Sequence, residues 1–435
     1  MSINVLSWKG RPVQDKGQWY IDIELEIDAE GSFGTVLETS VNRMRTGTAL
    51  SLDPGIKTYY VRADCGDVEL WQANTTGIAH VYPLQLRLGD WSDFRMYAFY
   101  HYEVKDGKPY LNGKYLRLRG TVSRVSKGML YEGLLSSSQK AGLNSIVLNG
   151  TEGHSFKEAC LRVGLLPLAA EEVPASVKHI NAIPCREGDY LAEIKQYFDI
   201  CDGIMKVRSN AESNSGYIIH SLNDRTESGV EDGGMTKSGK WKLMQYGLRR
   251  FSAPLTPFGI QKGDEIFAYI ANDTDSDQPA ELAIKLRDFS GRKIEDLLHA
   301  VTVPAHSKML VNTVKVRHPL DQVFCYVRLS TKDTLRERTH LLSPFSRAKL
   351  QNPNIKTEFK QISAGAISIK LTAERPAFYV ALSSGSIKGL FSDNMIAVRP
   401  SAAKSVIFQS IEAVNLEEFK KELKVYDLYT GLKSL

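Results

Sequence analysis

The sequence predicts a multidomain protein that combines all-β and α/β parts, and two observations carry this. Apolar and polar residues alternate with period two before residue 90 and again after residue 254, as half-buried antiparallel strands require. Residues 115–254 instead alternate short apolar runs with helical patterns, as parallel βαβ units do. The expected architecture is an α/β core with one β-sandwich before it and two after it. A chain of 435 residues has room for about three domains or slightly more.

In residues 1–90 the clearest alternation is Tyr20-Ile21-Asp22-Ile23-Glu24-Leu25-Glu26-Ile27. Residues 35–39, 58–62 and 82–88 read the same way, with Gly, Asp and Pro at the turns, so this part is expected to be an immunoglobulin-like sandwich. Residues 91–114 are expected to be an aromatic linker and hairpin. Trp91, Phe94, Tyr97, Phe99, Tyr100 and Tyr102 suit either stacking on sugar rings or a seam between domains; the seam is favoured because aromatics bury large areas where surfaces pack. Asp106-Gly107 and Asn112-Gly113 are hairpin turn signals.

From residue 115 the period changes. Strands are expected at 116–120, 145–148 and 165–168, and helices at 129–141, 156–163 and 190–200. Residues 216–254 close the region. Tyr217-Ile218-Ile219 is a short buried strand, a Gly/Ser/Asp-rich loop follows, and Trp241, Leu243, Met244, Tyr246, Leu248 and Phe251 mark an amphipathic helix that Pro254 stops. Loops in this position tend to handle ligands. Strands return at 266–270, 282–286, 309–311 and 324–329, then at 366–371, 378–382 and 405–408. They predict two more sandwiches, at 255–345 and 346–435.

Composition narrows the function classes. With 43% apolar and 24% charged residues, the chain can bury sizeable cores. A net charge of +5 without any basic run of five residues argues against a nucleic-acid partner. No apolar run is long enough to span a bilayer, and the first residues lack a signal-peptide core, so no membrane association and a cytoplasmic location are the default expectations. An exported or lysosomal location stays open if the chain is part of a longer protein. Sequons at Asn74, Asn149 and Asn272 matter only in that case. The five cysteines are scattered and form no CxxC pair, which argues against zinc and against a disulfide framework. No metal-ligand spacing, phosphate loop, dinucleotide fingerprint or nucleophile elbow occurs, so neither cofactor nor metal is expected.

Several motifs in order resemble those of one family. They are Glu69-Leu70-Trp71-Gln72-Ala73-Asn74-Thr75-Thr76-Gly77; Leu111-Asn112-Gly113-Lys114 with Leu118-Arg119-Gly120; and Lys140-Ala141-Gly142-Leu143-Asn144. Leu222-Asn223-Asp224 with Gly239-Lys240-Trp241-Lys242 and Phe251-Ser252-Ala253-Pro254 follow, and Gly389-Leu390-Phe391-Ser392-Asp393-Asn394 closes the series. Together they resemble the β-mannosidases of glycoside hydrolase family two. The resemblance implies a TIM-barrel-like α/β core flanked by immunoglobulin-like sandwiches, and a retaining glycosidase ancestry. It also implies truncation. The family's N-terminal jelly roll has no counterpart, and roughly 140 residues between Gly113 and Pro254 hold about half of a barrel's eight units.

The departures bear on activity. The family's acid/base lies in an Asn-Glu pair, which this sequence lacks, and nothing matches its nucleophile motif. Where the family has Arg and Trp after the second strand, this chain has Val147-Leu148-Asn149-Gly150; where it has Trp-Gln before the last loop, this chain has His220-Ser221.

Retaining hydrolysis needs two carboxylates about 5–5.5 Å apart. At strand ends the candidates are Glu152, Glu171, Glu172, Asp224 and Glu227, with Glu171 and Asp224 the best residual pair. Their alternative role is that of solvated loop carboxylates or caps, and Asp224 can hold its loop through Asx hydrogen bonds. His220, Asn223, Trp241 and Glu152 are the candidate substrate contacts; a lone strand histidine is more often structural. The expectation is a catalytically degenerate glycosidase homologue that binds carbohydrate or protein, the alternative an active hydrolase with relocated carboxylates or a completing partner chain. A half-barrel also exposes sheet edges, so a partner chain or homo-oligomer is expected to cover them.

Overall fold

The computed structural model describes residues 2–73, 79–125, 131–150, 152–210, 213–227, 229–400 and 402–433. The chain divides into two units, Met1–Leu116 with Asn144–Glu172, and Arg117–Leu143 with Val173–Leu435.

In the first unit, seven strands form two antiparallel sheets. One orders Ile3–Asp15, Gln18–Ala29 and Gly55–Asp64. The other orders Met44–Leu52, Phe33–Val41, Tyr82–Leu88 and Trp91–Tyr97. Ile21, Ile23, Leu25 and Ile27 are buried together with Leu37, Leu84, Leu86 and Leu88. Each such side chain contributes about 1.5–3 kcal/mol of burial, which holds the alternating strands to one register. Trp91–Tyr97 is a sandwich strand and not a linker, because the two-residue Gly89-Asp90 turn, with Gly89 at φ +59°, folds it back onto Tyr82–Leu88. The aromatic stretch is divided by this geometry: Tyr97 and Phe99 enter the sandwich core, while Phe94 is exposed.

A three-stranded hairpin follows, Tyr102–Lys105, Lys108–Leu111 and Lys114–Tyr115. Its turns put both central residues at positive φ, Asp106 and Gly107 at +49° and +71°, Asn112 and Gly113 at +53° and +76°. That is the geometry which Asp-Gly and Asn-Gly favour. The unit ends in a βαβ element. Ser145–Val147 and Leu166–Leu168 pair in parallel, joined by helix His154–Arg162, which buries Phe156, Ala159 and Cys160.

In the second unit, three parallel strands stand in the order Leu118–Val122, Gly216–His220, Val177–Asn181. Helices Glu132–Lys140, Tyr190–Ser209 and Leu243–Phe251 belong to the same unit. Tyr190–Ser209 runs nine residues past the expected end at 200, because Ile204, Met205, Val207 and Arg208 keep its buried stripe going beyond Asp202-Gly203. Val177–Asn181 has no counterpart among the expected strands, since exposed Lys178 and His179 break its apolar run. The start of the helix expected at 129, and the sequon at Asn74, lie outside the described residues.

Two antiparallel sandwiches complete the second unit. The first joins the sheet Leu255–Lys262, Glu265–Asn272, Ser307–Lys315 to the sheet Lys293–Val303, Gln278–Asp288, Val323–Ser330, Leu335–Leu341 around Ile266, Ile270, Leu282, Ile284 and Val327. The second has Lys356–Ser363, Ala366–Thr372, Lys404–Gln409 and Leu390–Phe391 in one sheet, and Ile396–Val398, Ala377–Ser383 and Lys424–Tyr426 in the other. Among the described residues no helix is long and apolar enough to cross a membrane.

Candidate functional site

The C-terminal ends of the parallel strands bring a polar cluster together in the second unit. Val177–Asn181 and Gly216–His220 run in register with Asn181 beside His220. His179 Nδ1 and His220 Nε2 lie 2.8 Å apart, so one ring must donate to the other. Burial, with His179 beside it, pulls His220 below its ordinary pKa and favours a neutral imidazole near pH 7. Past Leu118–Val122, Arg124 forks onto Asp232, with Nη2 donating to Oδ2 at 2.9 Å and Nη1 to Oδ1. Neither His179 nor this fork was signalled in the sequence, because the residues meet only when the strand ends do.

The loop after His220 engages most of its acids; Glu227 is exposed and accepts from Ser238 Oγ at 3.0 Å through Oε2. Asp224 is buried, its Oδ2 lies 2.7 Å from Lys242 Nζ, and its Oδ1 accepts from the Gly233 amide at 2.9 Å. Burial still holds its carboxyl above the usual range, against the opposite pull of Lys242. Glu231 accepts from the amides of Arg225 at 2.6 Å and Thr226 at 2.9 Å, and from Thr226 Oγ1 at 2.6 Å. Burial would push its carboxyl up, but these donors outweigh it and leave it below the ordinary value. Lys242 is fully buried and also donates to the carbonyls of Cys185 and Glu231. A cation inside the apolar Trp241-Lys242-Leu243-Met244 run was the available signal for this pair.

The other candidates are placed as follows. Asn223 is fully buried; its Nδ2 donates to the Asp224 carbonyl and its Oδ1 has no partner among the described residues. Trp241 is 8% exposed and meets Tyr246 edge-on at 4.9 Å; with Tyr246, Phe391 and Tyr426 it lines a small cleft. In the first unit, Glu152 accepts from the Asn149 amide at 3.0–3.1 Å, as a turn carboxylate does. Glu171 lies in the single 3-10 turn Ala170–Glu172, exposed, with no hydrogen bond or ion pair among the described residues. All five cysteines are buried and free, and no group of three or more His, Cys, Asp or Glu among the described residues could hold a metal.

Residues 264–345 match a family described as a mannosidase Ig/CBM-like domain, and residues 350–430 match the Ig-fold domain of a mannosidase family. The β-mannosidase of Capra hircus is 30% identical over 206 residues, 44% of this chain and 23% of that protein. The β-mannosidase of Bos taurus is 29% identical over 204 residues with the same shares. The matched part thus spans under a quarter of these relatives' length. Among solved structures, a β-D-mannosidase from Dictyoglomus thermophilum superposes with a TM-score of 0.79 at 14% identity, covering 98% of this chain and 76% of that one. This chain is β-mannosidase-like. An exo-chitosanase from Amycolatopsis orientalis also superposes, with a TM-score of 0.70 at 12% identity over 98% of this chain and 78% of that one. At such identities the likeness is one of fold. The β-mannosidase-like chain therefore shares two immunoglobulin-like domains with mannosidase families, and its fold with the solved β-D-mannosidase and exo-chitosanase.

Proposed function

We propose that this β-mannosidase-like chain is a carbohydrate-related protein that has lost hydrolysis and keeps its scaffold for binding carbohydrate or protein. Residues 115–254 are read as a truncated barrel between sandwiches at 1–90, 255–345 and 346–435. One observation carries the reading. Asp224, Glu231 and Asp232, all beyond the end of Gly216–His220, are each fully engaged, by Lys242, by the Arg225 and Thr226 amides, and by Arg124. A nucleophile must keep an oxygen free for the sugar, and a general acid must hold a proton it can give. These carboxylates instead act as local fasteners. The His179–His220 pair remains the polar surface that a hydroxyl-rich ligand would meet.

A second reading, residual hydrolysis, has Glu171 in its favour, since that carboxylate is exposed and unengaged. Incubating the pure chain with a chromogenic β-mannoside and a panel of other glycosides separates the two. No turnover is expected, together with measurable heat on titrating mannose oligosaccharides. Turnover that disappears in Glu171→Gln would overturn the binding reading.

A further inference from the structure

A cleft of about 380 Å³ in the second unit is crowded with cations. Arg249 and Arg250 enter it from the end of helix Leu243–Phe251, Arg328 from Val323–Ser330, and Arg336 and Arg338 from Leu335–Leu341. Arg399 and Lys404 close it from the last sandwich, and among the described residues the carboxylates in its lining are Glu337 and Asp393.

Those two acids are already taken. Asp393 binds Arg250 at 2.5 Å and lies 4.0 Å from Lys404. Glu337 binds Arg328 at 3.0 Å and also Arg399. Arg249 donates to the Ser392 carbonyl at 2.6 Å and forms no ion pair among the described residues. Among the described residues Arg338 reaches no acid within the cleft, and its one acidic neighbour is Asp202, at 3.7 Å, although its side chain is just 12% exposed. Arg336 forms no ion pair among the described residues. Arg336 Nε and Arg338 Nη1 are buried without a hydrogen-bond partner among the described residues. Burial, with Arg208 and Arg249 nearby, pulls Arg336 below its ordinary pKa.

A guanidinium cannot escape by losing its proton, and an unbalanced buried charge is expensive to keep. An ordinary solvated patch would turn its guanidiniums to water. Here Arg338 is held 4.6 Å over the Phe251 ring and Arg399 4.5 Å over Tyr326, which aims their planes before any ligand arrives. Flat, fixed, multiply donating forks suit a tetrahedral oxyanion better than a single carboxylate.

We infer that this arginine cleft binds the phosphate or sulfate ester group of a small soluble ligand. The inference does not rest on the proposed carbohydrate role, since none of its residues lies at the ends of the three parallel strands.

The test is calorimetric titration of the whole chain with inorganic phosphate and with sulfate at constant ionic strength, followed by phenyl phosphate and phenyl sulfate to identify the ester. Saturable binding is expected, weakened about tenfold or more in Arg336→Gln and in Arg338→Gln and unchanged in Lys360→Gln, a lysine that does not line the cleft. Thermal melts guard against a folding artefact. In anion-free buffer Arg336→Gln should melt no lower than the parent, because it removes an unbalanced charge, and it should lose the gain that phosphate gives the parent. The inference fails if neither oxyanion binds, if Lys360→Gln weakens binding equally, or if only long acidic polymers bind. It also fails if Arg336→Gln lowers the melting temperature alike with and without anion while binding persists.

Discussion

Lys242 holds together the loop that follows the middle parallel strand. Its ammonium is shared by Asp224 at 2.7 Å and by the carbonyls of Cys185 and Glu231 at 3.3 and 3.1 Å. Lys242→Met leaves Asp224 buried without its counter-charge, so a loss of about 3–5 kcal/mol is expected in urea unfolding, and a loss under about 1 kcal/mol would refute the account. Glu193 is the second buried group with a clear consequence. It accepts from the Gly188 and Leu243 amides at 2.7 Å each, yet burial lifts its carboxyl to about 7. A folded pKa above the unfolded one means that stability is full below the usual carboxylate range and falls as pH rises through about 7. Between pH 8 and pH 5 the parent should therefore gain about 2–3 kcal/mol relative to Glu193→Gln, as read by melts of both proteins. Parallel pH profiles would show that Glu193 is ionised when folded.

At the scale of elements, helices Tyr190–Ser209 and Leu243–Phe251 approach at a glycine. A Cβ on Gly247 would sit 2.7 Å from the Tyr197 ring, which is itself buried. Alanine improves helix propensity by about 1 kcal/mol, but overpacking against a ring that cannot move costs about 1–3 kcal/mol. Gly247→Ala is expected to destabilise on balance, and a raised unfolding midpoint would show that the ring yields. Arg208 closes the same pair of helices. Its Nη1 donates to the carbonyls of Phe251 and Ala253 at 2.6 and 2.9 Å, and Nη2 to that of Pro254 at 3.1 Å. The retained Phe251-Ser252-Ala253-Pro254 motif is thus explained by a buried guanidinium and needs no substrate. The Ser392-Asp393-Asn394 motif has a similar account, since Asn394 exchanges hydrogen bonds with the Leu382 backbone and Asp393 holds Arg250.

For the whole molecule, the proposed loss of hydrolysis and the state of assembly each have a direct test. Val177–Asn181 pairs on one side only among the described residues, and carries exposed Lys178 and His179 along its length. A lysine on an edge strand discourages unwanted pairing, but a free parallel edge still favours a covering partner. Light scattering after size-exclusion chromatography is expected to give a dimer or larger assembly; a monomer across the micromolar range would count against a covered edge.

The sandwich strands were legible because period two survives wherever one face is buried, as from Tyr20 to Ile27, and the hairpin because Asp-Gly and Asn-Gly encode its turns locally. Trp91–Tyr97 and Val177–Asn181 were not, since one is set by a two-residue turn and the other by its neighbours' hydrogen bonds. The chemistry of the site was the least legible part. Asp224 was visible as a carboxylate at a strand end, but its neutralisation by Lys242, 18 positions away, was not. His179 and His220 are 41 residues apart, and Arg250 and Asp393 are 143 apart. By itself the sequence determined the strand periods, the turns and the family likeness, which follow from backbone sterics and burial within a few residues. Only the tertiary structure decided which charges are spent on each other and which are left over, because Coulomb and hydrogen-bond partners are set by distance in space.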